Sequence, residues 1–160
     1  MTYFDRDAYH GPDVLNYTPS VHRSIMWSML GNKLGSGIHR DVYASRLSRD
    51  HVIKVEPNVG SFANVMEWEI WRMVEHHENA KWFAPVFGID PFGTVLIQAR
   101  TKRVTPSQFE KVKELPAFFW DVKPENFGWY KGRIVCHDYA ITSLIATGVC
   151  SKKMKKNAWS

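Results

Sequence analysis

Apolar residues along this chain recur with two periods, and each period marks a different element. The run His51-Val52-Ile53-Lys54-Val55 is short and β-branched, which predicts a strand. Ala84–Ile89 and Thr94–Ala99 have the same character, and Asp90-Pro91-Phe92-Gly93 supplies turn chemistry between them, so a hairpin is expected. Over residues 62–78 the period changes. Met66, Ile70, Met73 and Val74 stand three and four apart, the stripe of an amphipathic helix, with Glu67 and Glu69 bordering its opposite edges. Upstream, residues 20–33 predict a short helix that opens near Ser20 and breaks at Gly31-Asn32, after a polar and aromatic stretch with a turn signal at Gly11-Pro12. Leu34–Ala44 reads as a glycine-rich turn between two strand-like stretches. Downstream, residues 106–115 predict a short amphipathic helix, and Lys131-Gly132 turns into the apolar strand Arg133–Cys136. Strands, a helix, more strands and then a more helical remainder predict an α+β fold, with a helix packed on an antiparallel sheet.

Composition narrows the picture. At 160 residues and 44% hydrophobic, the chain can bury one core, in one domain or two small lobes that share it. No apolar run reaches the roughly 18–20 residues of a membrane span, and the first residues lack a charged-then-apolar leader pattern. Cys136 and Cys150 make neither a disulfide framework nor a zinc spacing, so a reducing, cytoplasmic setting is expected. The seven tryptophans lie in apolar stretches and are expected in the core. The net charge of +5 is concentrated late, at Lys152, Lys153, Lys155 and Lys156. That tail reads as a solvated, frayed end. A broad basic stripe with stacking aromatics is missing, which argues against a nucleic-acid module.

The candidate chemistry lies at four places. Gly35 and Gly37 in the glycine-rich turn let backbone approach phosphates without β-carbons in the way. Lys54 shares a strand face with Val52, and a buried ammonium there needs an anionic partner. A glutamate of the 62–78 helix, Glu67 or Glu69, can supply it, and periodicity does not separate the two. The segment Asp121-Val122-Lys123-Pro124-Glu125-Asn126-Phe127-Gly128 combines a carboxylate, a cation and an amide, and Asp138 follows Asn126 by a short hairpin. Carboxylate and amide oxygens suit Mg²⁺.

Taken in order, these pieces resemble the protein kinase family from about Leu34 to Ala140. Gly35-Ser36-Gly37 with Val42 resembles the glycine-rich loop, Val52-Ile53-Lys54 the strand that carries the phosphate-binding lysine, Asp121–Asn126 the Ser/Thr-type catalytic loop, and His137-Asp138-Tyr139 the metal-binding segment. The size and the His-Asp-Tyr ending are similar to small kinase-like proteins of tailed bacteriophages. The resemblance implies a kinase-like α+β fold, with residues 1–99 as an N-terminal lobe (1–33 an extension with a short helix) and 100–160 as a truncated, mostly helical C-terminal lobe. It implies ATP and Mg²⁺ as cofactors. Gly35, Gly37 and Val42 would cover the nucleotide, and Lys54 would bind its α- and β-phosphates. Glu69 would steady Lys54, since Met73 four residues later matches an apolar kinase position. Asp121 would orient the substrate hydroxyl, Lys123 would contact the γ-phosphate, and Asn126 and Asp138 would hold the metal.

Several positions depart from that pattern. Arg40 takes the third glycine position, Phe119-Trp120 precede Asp121 in place of His-Arg, and Ala140 replaces a glycine. Tyr139–Ser160 leaves no space for a large helical substrate platform. Two functions are therefore expected in competition. One is a minimal Ser/Thr protein kinase acting on host proteins or on itself, in the host cytoplasm if phage-encoded. The other is a kinase-like protein of weak or no activity that docks on a host factor and inhibits it. A homodimer or host complex would cover apolar surface left at the short C-terminal lobe.

Overall fold

Lys54 sits on the central strand of an antiparallel sheet. The structure, a computed structural model, describes residues 19–56 and 61–159; the Gly11-Pro12 turn lies outside them. Helix α1 (Pro19–Met29) runs directly into β1 (Leu30–Ser36). Then come β2 (Asp41–Ser45), β3 (His51–Val55), α2 (Ala63–Val74), a 3₁₀ turn at Glu78–Trp82, β4 (Val86–Ile89) and β5 (Val95–Ala99). The five strands pair antiparallel in the order β1-β2-β3-β5-β4, with Val42 opposite Lys54 and Lys54 opposite Leu96. The α+β class and the N-terminal sheet with one packed helix are as the hydrophobic pattern predicts.

Helix α2 lies against β4 and β5. Its buried positions are Ala63, Asn64, Glu67, Ile70 and Val74. That face is rotated from the expected Met66–Ile70–Met73–Val74 stripe: Met66 and Met73 sit at its half-buried margin, and Glu67 lies at its centre.

The second half is less helical than expected. After β6 (Lys102–Arg103), α3 (Pro106–Phe109) stops after four residues, although Thr105 and Gln108 close a full capping box at its start. The chain turns instead into β7 (Glu114–Pro116), which pairs with β10 (Met154–Lys156). Between them a 3₁₀ turn at Pro124–Asn126 leads into the hairpin β8 (Phe127–Tyr130) and β9 (Arg133–Cys136), followed by α4 (Leu144–Thr147). The hairpin turns at Lys131 and Gly132, both with positive φ (47° and 80°), the twist that suits a two-residue connection. Gly128 has a separate reason. A Cβ there would meet Thr101 Cβ at 2.6 Å and the Lys102 carbonyl at 2.9 Å, so β8 packs against β6 only with glycine.

One hydrophobic core spans both halves. Ile70 and Val74 of α2, Val86 and Leu96 of the sheet, and Phe109, Phe118, Phe119, Phe127 and Tyr139 belong to it. Phe83 stands 4.9–5.6 Å from the rings of Phe118, Phe119 and Tyr139, offset or edge-on as aromatic pairs favour. The tryptophans are not the core residues their surroundings suggested. Trp27, Trp120 and Trp159 are exposed, and Trp68, Trp71, Trp82 and Trp129 pack only at the core's edge.

The basic tail is not frayed. Besides the β7–β10 pairing, the Ala117 amide donates to the Lys153 carbonyl (2.8 Å), and Lys155 Nζ donates to the Phe119 carbonyl. Asn157 is buried and donates from Nδ2 to the carbonyls of Phe109 (3.0 Å) and Val112 (2.9 Å). Trp159 Nε1 donates to Val122 O, in the stretch just after Asp121. Among the described residues no helix is long and apolar enough to cross a membrane.

Candidate active site

The β1–β2 hairpin, β3, the end of β5, the 3₁₀ turn at Pro124–Asn126 and the segment after β9 surround a cleft of about 770 Å³. Gly35, Gly37, Val42, Lys54, Lys123, Asn126 and Asp138 all line it, so most of the residues singled out from the sequence meet at one place. Gly35 faces open space, and a Cβ on Gly37 would touch only the Arg40 carbonyl, at 3.5 Å. Neither has a positive φ. The protein's own packing thus does not require glycine at either position.

Lys54 is 2% exposed, and its partner is Glu67, not Glu69. Lys54 Nζ lies 2.7 Å from Glu67 Oε2 and also donates to the His137 carbonyl. Glu67 is wholly buried and saturated with donors. Oε1 accepts from Arg40 Nη2 (2.5 Å) and the Tyr139 amide (2.9 Å), and Oε2 from Lys54 and, more weakly, Gln98 Nε2 (3.5 Å). Glu69 lies on the half-buried flank of α2, outside this network. Spacing could not separate the two, since Glu69 stands three after Met66 and four before Met73 just as Glu67 stands three before Ile70 and seven before Val74; the buried face of α2 decides for Glu67.

Arg40 was missed as a site residue. Its side chain is 7% exposed and turns from the glycine-rich hairpin into the cleft. Nη2 bridges Glu67 Oε1 and Asp138 Oδ1, each at 2.5 Å, and Nη1 reaches Asn64 Oδ1 at 3.4 Å. Burial opposes its charge, but the carboxylates of Glu67 and Asp138 outweigh that and hold the guanidinium more firmly protonated than usual. Burial tends to raise the Asp138 carboxyl, yet Arg40 and Lys54 together bring it below the ordinary range. Burial lowers the Lys54 ammonium, helped by the like charge of Arg40 and only partly offset by Glu67.

Asp121 is not among the residues that line the cleft, but it is bound to two that are, and half its side chain is exposed. Lys123 Nζ holds Oδ2 at 2.7 Å and Asn126 Nδ2 holds it at 2.9 Å, while Asn126 Nδ2 also donates to the Asp121 carbonyl. The Lys123 hydrogen bond lowers the Asp121 carboxyl and, reciprocally, raises the Lys123 ammonium. Beneath this loop His137 Nε2 donates to the Glu125 carbonyl (2.9 Å) and Nδ1 accepts from Thr101 Oγ1 (2.9 Å), which defines one neutral tautomer. Burial, and then the charge of Lys54, push its pKa down to about 4.

Arg40 competes with Mg²⁺ at this site: its guanidinium already takes Asp138 Oδ1, which leaves Asn126 Oδ1 and Asp138 Oδ2 as the oxygens that could reach a metal. Among the described residues no three His, Cys, Asp or Glu side chains gather as metal ligands.

No family model and no curated protein matches the chain. Among solved structures it is similar to the gentamicin complex of APH(2″)-IIa, at 17% identity and a TM-score of 0.42, over 61% of this chain and 33% of that one. The streptomycin–ATP ternary complex of APH(2″)-IIa gives the same values. The ADP-bound aminoglycoside phosphotransferase APH(2″)-Ib gives 17% and 0.41, over 59% of this chain and 32% of that one. The chain thus spans about a third of the length of each.

Proposed function

We propose that the protein transfers the γ-phosphoryl group of ATP to a serine or threonine hydroxyl of another protein. The observation that carries this reading is the placement of Asp121. Its ionised carboxylate is exposed and pinned by Lys123 and Asn126, two residues that line the same cleft as Lys54, which is itself paired with buried Glu67. In the reaction, Asp121 orients the substrate hydroxyl and receives its proton. The hydroxyl oxygen bonds to the γ-phosphorus, the β–γ bridging bond breaks, and ADP leaves. Lys54 and Lys123 offset the charge on the phosphates. No step is assigned to Mg²⁺, because Arg40 already occupies Asp138. The strands and turns between Leu34 and Ala99 then form the nucleotide side of the cleft, and those after Arg100 the side that presents Asp121 and Asn126.

A protein substrate is favoured by the surface beside Asp121. Phe119 and Thr142 form an antiparallel bridge, and Trp120 and Ile141 are their chain neighbours. These are 67% and 64% exposed, an apolar platform next to the catalytic loop. The same platform, with Arg40 on Asp138, favours a second reading, a kinase-like protein of low activity that docks on a partner. The resemblance to phage kinase-like proteins names bacterial host proteins as the substrates or partners to try.

Incubation with labelled ATP and a bacterial lysate, in Mg²⁺ and in EDTA, tests the first reading. Label on protein is expected, reduced about 10²- to 10⁴-fold in Asp121→Ala. Absence of label in every condition would sink the enzyme reading. Capture of one lysate protein by the wild type, lost in Trp120→Ala/Ile141→Ala, would then support the docking reading.

A further inference from the structure

We propose that Arg40 binds the phosphates of the nucleotide in the place a divalent cation would take, so that the cleft accepts nucleotide without metal. The inference rests on the nucleotide reading above and adds the means of phosphate recognition. It starts from what a metal does in such a site: it brings positive charge to the end of a carboxylate and presents that charge to the phosphates. Here the charge is already present and covalently attached. The Arg40 guanidinium sits 2.5 Å from Asp138 Oδ1 and is anchored behind by Glu67 Oε1 at the same distance.

The charge balance agrees. Lys54 and Arg40 against Glu67 and Asp138 sum to zero. Asp138 therefore has little net attraction left for Mg²⁺. The cleft as a whole favours anions. Arg100, Arg103 and Lys123 join Lys54 and Arg40 on its lining, against Glu125 and Asp138 on the lining and Glu67 and Asp121 paired with its cations, five cations to four anions.

Donor capacity agrees as well. A guanidinium has five N–H groups. Contacts with Glu67, Asp138 and Asn64 use three of them, leaving two for phosphate oxygens. Arginine's planar fork suits such oxygens better than a lysine at the same place. The hairpin that carries Arg40 also carries Gly35 and Gly37, whose open surroundings admit the phosphates beside it.

The test is ADP binding to the full chain by calorimetry, in EDTA and in excess Mg²⁺. Wild type should bind with dissociation constants within about three-fold of each other. Arg40→Gly should lose about ten-fold or more in EDTA, the scale of charge-assisted hydrogen bonds, and recover in Mg²⁺ as Asp138 becomes free. If Arg40→Gly does not fold, Asp138→Asn serves instead. It removes a negative charge beside the phosphates and releases Arg40, so metal-free binding should tighten about three-fold or more. Wild-type binding that requires Mg²⁺, metal-free binding by Arg40→Gly equal to wild type, or weaker binding by Asp138→Asn overturns the proposal while leaving the nucleotide reading intact. No ADP binding in either buffer overturns both.

Discussion

Glu67→Gln is the sharpest probe of the buried network. The substitution keeps shape and one carbonyl oxygen but removes the only fully buried negative charge facing Lys54 and Arg40. It also places an amide N–H where a carboxylate oxygen now receives a cation. Breaking a buried ion pair by changing one partner costs about 3–5 kcal/mol, because the other charge stays buried and uncompensated. Two cations converge here and Asp138 compensates only one of them, so the upper part of that range applies. For a chain of this size each kcal/mol shifts the melting temperature by about 2–4 °C, which at about 4–5 kcal/mol gives a fall of about 8–20 °C. Urea unfolding followed by tryptophan fluorescence measures the free energy directly, with Glu69→Gln as the control, expected within about 0.5 kcal/mol of wild type. Equal costs at the two positions, or a cost below about 1 kcal/mol at Glu67, would refute the assignment of the network to Glu67.

Three further outcomes are expected. His137 is held neutral, with its pKa down at about 4 against an ordinary 6.5. The unfolded chain then takes up a proton between pH 6.5 and 4 that the folded chain does not. Stability is therefore full above pH 6.5 and falls by up to about 3 kcal/mol as pH drops to about 4; in unfolding measured across that window, His137→Gln should flatten the slope. Gly128→Ala drives a methyl into Thr101 and the Lys102 carbonyl and should cost about 1–3 kcal/mol, whereas Gly35→Ala meets nothing and should leave stability unchanged while weakening ADP binding. Asn157→Ala strips donors from two carbonyls, Phe109 and Val112, and should cost about 2–4 kcal/mol. Hydrogen exchange should then speed up in residues 113–123, which the tail braces.

Local patterns were legible where the chain's own neighbours decide the outcome. Strand β3 was found with its bounds, and the β4–β5 hairpin was found around Asp90–Gly93 with strands one or two residues shorter at their starts; Asp90 Oδ1 there accepts from the Val95 amide at 2.7 Å. The β8–β9 hairpin was legible from Lys131-Gly132. What failed depended on partners far along the chain. Residues 106–115 carry a helix start, but pairing of Glu114–Pro116 with Met154–Lys156 takes the segment away after one turn. Nothing in a lysine-rich run suggests a strand, because its stability comes from backbone pairing and from Asn157, not from alternating apolar side chains. Glu67 escaped because a stripe defined by apolar residues omits a charged residue on the same face.

The same lesson bears on why this cleft is polar at all. A buried carboxylate with two buried cations is poor material for stability, since burying each ion costs several kcal/mol and an apolar replacement of similar volume is often neutral or stabilising. Arg40, Lys54 and Glu67 are each under 10% exposed, and they come from three separate elements: the glycine-rich hairpin, the central strand and helix α2. Asp138, after β9, completes the set. If these charges exist for folding, the double variant Lys54→Met/Glu67→Leu should be less stable than wild type by about 2 kcal/mol or more. If they exist for an anionic ligand, the double variant should be within about 1 kcal/mol of wild type or more stable, as apolar replacements of a buried ion pair often are, and it should bind no ADP. A stable fold with an emptied cleft would assign the network to phosphate, and Arg40 to it as a member, where the sequence alone showed only a missing glycine.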